Sequence, residues 1–214
     1  MGAQADQVRD DILARVQGRL LMPGDRIDEV DLRERLRLSV TPIREALIAL
    51  ETLGVVERRP RDGARIAALD AEGLMKMIEV LAEAEGALAF RAARRINPAQ
   101  AERLQQAARA CRDWLKAGTG DGYYDLNLDF HRSIMAAAGN EYLSQMALGA
   151  ANRLIGYLAA RHRLLGEAEA SVRDHEEITS AILDAAGDRA RALMIAHVSF
   201  SDTMALDVIN ALRR

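Results

Sequence analysis

Three histidines in this sequence stand at helical spacing on apolar stripes, where imidazoles could bind a metal ion. His131 shares a stripe with Asn127, Ile134 and Ala138; His175 with Val172, Ile178 and Ile182; His197 with Leu193, Phe200 and Met204. Steps of three and four turn each imidazole toward the buried side of its helix. A lone histidine on such a stripe is more often an ordinary hydrogen-bonded core residue. Three on separate helices, with the Asn127 oxygen one turn before His131, make a donor set. Imidazoles plus an oxygen suit zinc first, with nickel and manganese as alternatives, and leave positions open for water or a ligand. A catalytic version of this site would need a base, and Glu176 and Glu177 are the candidates. Helical geometry points Glu176 away from the His175 face, so both glutamates read as solvated or paired between helices, and an enzyme is disfavoured. His162, in "AARHRLL", lies on no such stripe and is expected at the surface.

A second constellation lies in "SVTPIREALIALETLG", residues 39–54. Thr41 is suited to cap a helix that has Pro42 at its first position, where the missing N–H costs nothing. Ile43, Leu47, Leu50 and Leu53 then form a buried face, and Gly54 ends the helix. The opposite face carries Arg44 and Ile48. Upstream, a helix from about Asp6 to Arg19 repeats Val8, Ile12, Val16 and Leu20, "MPGD" breaks it, and Asp28 can cap a short helix bearing Val30, Leu32 and Leu36. Downstream, "VVERR" and "GARIAAL" read as two strands around "PRDG". This order makes a winged helix-turn-helix, whose second helix enters a DNA groove. Charge agrees: residues 33–65 carry eight arginines against five acids, while the whole chain has a net charge of −3. A basic segment on an acidic body places any nucleic-acid contact at one end.

The remaining 145 residues, of 214, read as helices near 71–96, 98–117, 122–138, 140–165, 168–186 and 188–212, broken at "NP", "GTGDG", "GN", "GE" and "GD". The fold expected is mostly α: a winged helix-turn-helix in residues 1–69, then an all-helical antiparallel bundle in residues 70–214. Cys111 is the only cysteine, which excludes an intrachain disulfide and a thiolate metal cluster. The opening "MGAQADQVRDD" lacks the basic start and apolar run of an export signal, and no uncharged apolar run is long enough to span a bilayer. A cytoplasmic protein without a membrane partner is expected.

The motifs "PGDRI", "TPIREAL..LE.LGVVERR" and "DGARI", followed by "DFHRSIMAAAGNEYL" and "DHEEITSAILDAAGDRARALMIAH", resemble in their order a GntR-type transcriptional regulator of the FCD subfamily. The resemblance covers nearly the whole chain. It implies that Arg44 contacts a guanine, Thr41 a phosphate or base, and that Gly63 allows close approach at the wing tip. Arg33, Arg58, Arg59 and Arg65 would neutralise phosphates. It also implies a divalent metal at Asn127, His131, His175 and His197, and a small organic acid as effector. A homodimer on an inverted-repeat operator is expected, with repression the usual sign. The sequence departs from its relatives in three places. Val40 stands where many have arginine, Ile48 is apolar and could meet a thymine methyl or complete packing, and Leu81 occupies the position of an arginine that clamps the acid. Arg91, Arg94 and Arg153 could replace that clamp, though each is expected at the surface.

Overall fold

The computed structural model describes residues 2–59, 62–117 and 122–212. The N-terminal part comprises α1 (Ala3–Gln17), α2 (Glu29–Leu36), α3 (Val40–Thr52), β1 (Val56–Arg59) and β2 (Gly63–Ile66). Asp28 caps α2 as its position implies, accepting from the amides of Val30 at 2.8 Å and Asp31 at 3.1 Å. Helix α3 begins two residues earlier than expected. Ser39 is the N-cap residue, and Thr41 lies exposed in the first turn rather than at the cap. Pro42 tolerates this shift because the first-turn amides have no partner within the helix. Ile43, Leu47 and Leu50 are fully buried, but Leu53 is 38% exposed because α3 ends before its stripe completes another turn.

The two strands pair antiparallel with Val56 opposite Ile66 and Arg59 opposite Gly63. Of the turn sequence "PRDG", Pro60 and Arg61 lie outside the described residues. The segment after α1 adds an edge that periodicity did not disclose. Arg26 bridges to Arg65, while the Ile27 amide bonds the Ala64 carbonyl and the Ile66 amide bonds the Asp25 carbonyl, both at 2.9 Å. The "PGDRI" turn thus holds the wing. Val8, Ile12, Val16, Leu32, Ile43, Leu47, Leu50, Val56 and Ile66 form one apolar cluster, joined by Ile155 from the second half of the chain.

That second half comprises α4 (Ala71–Arg95), α5 (Pro98–Ala117), α6 (Tyr123–Ala138), α7 (Glu141–Arg161), α8 (Glu167–Leu183), α9 (Gly187–Val198) and α10 (Asp202–Ala211). Their starts are chemically marked: Asp70 caps α4, Asn140 caps α7 and Ser201 caps α10. Residues 118–121 of the "GTGDG" break lie outside the described residues. Helix α4 runs through the middle of the bundle, packing on α6, α7, α8 and α9. The helix expected over 188–212 is instead two, α9 and α10, meeting at 44°. Ser201 explains the break, since its hydroxyl accepts from the Met204 amide at 3.1 Å and restarts the chain as a new helix. Among the described residues no single helix is long and apolar enough to cross a membrane.

Loss of the α2 cap should be measurable. Asp28→Ala is expected to cost about 1 kcal/mol and lower the thermal midpoint by about 2–4 °C, read by circular dichroism. An unchanged midpoint would mean that water replaces the cap without loss.

Candidate metal centre and nucleic-acid interface

His131 on α6, His175 on α8 and His197 on α9 converge in the bundle interior, each less than a tenth exposed. One ring nitrogen from each lies within 4.8 Å of the other two. The outer nitrogens explain how the rings are aimed. His131 donates through Nδ1 to the buried Glu85 carboxylate of α4, and His197 donates through Nδ1 to Asp174 Oδ2 at 3.0 Å. A carboxylate oxygen accepts, so each Nδ1 carries a proton, and the neutral His197 is left with its Nε2 lone pair aimed into the cluster. Those two Nε2 atoms face each other at 3.3 Å. That separation is bridged either by a proton on one of the two rings or by a cation between them. Tetrahedral zinc, with Zn–N bonds of about 2.0–2.1 Å, sets adjacent nitrogens about 3.3–3.4 Å apart. The donor set fits the ion.

His175 is held differently. Phe130 stacks on it with centroids 3.8 Å apart, its Nε2 lies 3.4 Å from Ser171 Oγ, and its Nδ1 is buried without a partner among the described residues. Ser171 also donates to Asn127 Oδ1 at 3.4 Å and accepts from the Tyr123 hydroxyl at 2.8 Å. Asn127 is therefore buried beside the cluster and reaches His175 through Ser171. Burial pushes the His175 and His197 pKa values below the ordinary 6.5; for His197 the Asp174 carboxylate offsets only part of this. Both rings are neutral at physiological pH, the form that ligates a metal.

A cavity of about 40 Å³ adjoins the cluster, lined by Glu85, Asn127, His131 and His197 on its polar side and by Leu81, Met135, Leu148 and Leu158 among its apolar residues. Leu81 is buried at the position matched to the missing arginine. None of Arg91, Arg94 and Arg153 lines the cavity; Arg161 does. Arg161 is 8% exposed, and its guanidinium donates to the carbonyls of His197 at 2.9 Å and Val198 at 3.4 Å and, through Nε, to Glu167 at 3.0 Å. Sequence reasoning missed Arg161, Glu85 and Asp174, because charged residues at those positions look like solvent-facing charges. It also misplaced His162. Rather than lying at the surface, His162 packs edge-on against Tyr123 at 5.1 Å, and its Nδ1 is sealed from water without a partner. Tyr124 and His162 separate the cavity from a cleft of about 260 Å³, which is walled by Gln17 and Gly18 of α1 and by Trp114 of α5. Glu176 pairs with Arg112 across α5 and α8 at 3.1 Å, the interhelical pair its helix position implied.

On the N-terminal part, Thr41, Arg44 and Ile48 stand exposed on one face of α3, Ile48 at 55%. Arg33 is exposed on α2, and Arg44 makes no ion pair among the described residues. Arg58 lies 3.4 Å from Glu51, taking the carboxylate that could have engaged Arg44. Arg59 ends β1, and Gly63 opens β2 with φ +79°. Arg65 is turned inward, bonding Asp62 at 2.5 Å and the Gly24 carbonyl at 2.8 Å. The structure thus brings Thr41, Arg44 and Ile48 together and commits Arg65 to the wing.

Comparison with known proteins accords with both halves. The bacterial regulatory proteins of the gntR family match residues 4–66, and the FCD domain matches residues 76–200. The chain is 32% identical over 140 residues to a Paenarthrobacter nicotinovorans protein described as "Probable D-xylose utilization operon transcriptional repressor", covering 65% of this chain and 61% of that protein. It is 29% identical over 202 residues to the HTH-type transcriptional regulator LutR of Bacillus subtilis (strain 168), covering 84% and 90%. Its fold is similar to that of E. coli McbR/YncC, with a TM-score of 0.80 at 19% identity over 92% of this chain and 94% of the other. These are regulators, not enzymes. With the FCD pattern spanning more than half of its length behind a gntR-type head, the protein belongs to the GntR family of transcriptional regulators, in the group that carries an FCD domain.

Proposed function

We propose that this DNA-binding regulator is a cytoplasmic homodimeric repressor controlled through Asn127, His131, His175 and His197, which bind a divalent metal, zinc first. The convergence of one ring nitrogen each from His131, His175 and His197, all within 4.8 Å, carries this reading. When bound, the ion supplies the positive charge that a small organic acid's carboxylate would complete. Asn127 is neutral and adds no charge to hold the ion. The cavity, with Leu81 in place of an arginine, favours a small acid with little further charge. A second reading has its own support: about 40 Å³ holds only a few waters, so the metal alone could be the signal.

Residues 1–69 would act as the DNA-reading head and residues 70–214 as the sensor, consistent with the two apolar clusters. Thr41, Arg44 and Ile48 enter the major groove of each half of an inverted repeat, matched to twofold protein symmetry. Arg33, Arg58 and Arg59 neutralise phosphates, Gly63 brings the wing close, and Arg65 shapes the wing while lying near the backbone. The name of the Paenarthrobacter relative supports repression.

Zinc added to chelated protein should raise the thermal midpoint, with and without a panel of small organic acids. No shift with zinc would refute the metal centre; a further shift with one acid, lost on chelation, would identify the effector. Asp174→Ala should lower zinc affinity roughly 10–100-fold in a competition titration, because His197 loses its orienting acceptor. Equal affinity would show that His197 is aimed without it.

Without metal, acid should destabilise the fold. The folded pKa values of His162, His175 and His197 lie below 6.5, the ordinary value in the unfolded chain. Their contribution is therefore complete above pH 6.5 and is lost as pH falls toward the folded values, at up to about 1.4 kcal/mol per pH unit for each ring. Denaturant midpoints between pH 8 and 5 measure it, and His162→Gln should flatten the fall. For DNA, Arg44→Ala should cost about 1–3 kcal/mol on an operator selected from random duplexes and relax preference at one guanine; Arg33→Ala should weaken all sequences alike. A uniform loss with Arg44→Ala would demote it to a phosphate contact.

A further inference from the structure

Helix α7 meets both the histidine cluster and the head. At its C-terminal end, Arg161 is fixed by the His197 and Val198 carbonyls of α9, by Glu167 of α8 and by Phe200, whose ring centre lies 5.2 Å from the guanidinium carbon. A guanidinium held in four directions cannot be re-aimed without moving the backbone that carries it. One of those directions is the carbonyl of His197, a residue of the cluster itself.

Five residues earlier, roughly 8 Å along the helix, α7 touches the head. Ile155 is 6% exposed and belongs to the head's apolar cluster. A Cβ on Gly156 would come within 3.2 Å of Pro23 Cγ and 3.5 Å of Val16 Cγ1, so the absence of a side chain there sets how closely the head docks. Tyr157 fastens the connection by bonding both the amide and the carbonyl of Leu69, at 2.8 and 3.1 Å. Arg163 adds a contact at 3.4 Å to the Gln17 carbonyl at the end of α1.

Resting on the metal centre proposed above, we infer that Arg161 and the Ile155–Gly156 contact form a direct mechanical link from that centre to the DNA-reading head. A change in the position of His197 displaces its carbonyl, Arg161 carries that displacement into α7, and Ile155 and Gly156 deliver it to Val16 and Pro23. Packed helices respond to such displacements by small rigid shifts rather than by local bending. Linkage makes the path reciprocal, so DNA that selects one head position alters metal affinity by the same factor.

The test is hydrogen exchange of the full-length chelated protein with and without zinc alone. It compares wild type with Gly156→Leu, which wedges the head from α7, and Ile155→Ala, which removes the apolar contact. Neither residue lines the cavity or belongs to the donor set. In wild type, zinc should slow exchange in α6, α8 and α9 and change it roughly fivefold or more in residues 14–24. In both variants the zinc midpoint and the protection of α6, α8 and α9 should persist, while the response of residues 14–24 falls in Ile155→Ala and vanishes in Gly156→Leu. An undiminished response in the variants, or none in wild type despite protection of the cluster, overturns the link alone. Zinc without effect on α6, α8 and α9 overturns the metal centre, and the link with it.

Discussion

The helical bundle depends on holding three imidazoles close together and aimed at one point in an apolar interior. Burying a polar ring without partners is costly, and burying it charged costs more. Two of the three are resolved by carboxylates outside the cluster: Glu85 reaches in from α4, and Asp174 from α8, each accepting a hydrogen bond from Nδ1–H. Four helices are therefore committed to the orientation of two rings. The third, His175, has stacking against Phe130 in place of a carboxylate.

The same requirement shapes the end of the chain. Where α9 stops after His197, its last carbonyls need donors. Arg161 supplies them from α7, and Ser201 starts α10 at a new angle. The break disturbs the helix just beyond a donor histidine, yet leaves no charge unpaired, because Glu167 completes the arginine. A hydrophobic residue at 161 would fill the volume but leave those carbonyls without partners in the interior.

What could be read from the sequence was what repeats. His131, His175 and His197 revealed themselves because each shares a stripe with aliphatic neighbours, and the head because its turn signals fall in a fixed order. Residues outside a stripe were harder to place. Arg161 and Glu85 gave no periodic sign of burial, because what withdraws them from water is a partner on another helix, and Asp174, still partly exposed, gave no sign of its bond to His197. His162 was misplaced because Tyr123 and Tyr124, which enclose it, lie far away in sequence. The α9–α10 break escaped notice since "SFS" has neither glycine nor proline, and only the hydrogen bond of Ser201 reveals it. Thr41 and Ser39 are both cap-forming residue types two positions apart, and α3 starts after Ser39 without a side-chain capping bond.

The cleft between α1 and the bundle has one further property. Its wall includes Trp114, the only tryptophan in the chain, inclined at 49° to Tyr123 with ring centres 5.0 Å apart. Tyr123 in turn abuts His162, which borders the cavity beside the three histidines. The protein therefore carries a single indole chromophore where its two halves meet, and its ultraviolet emission reports on that junction without any label.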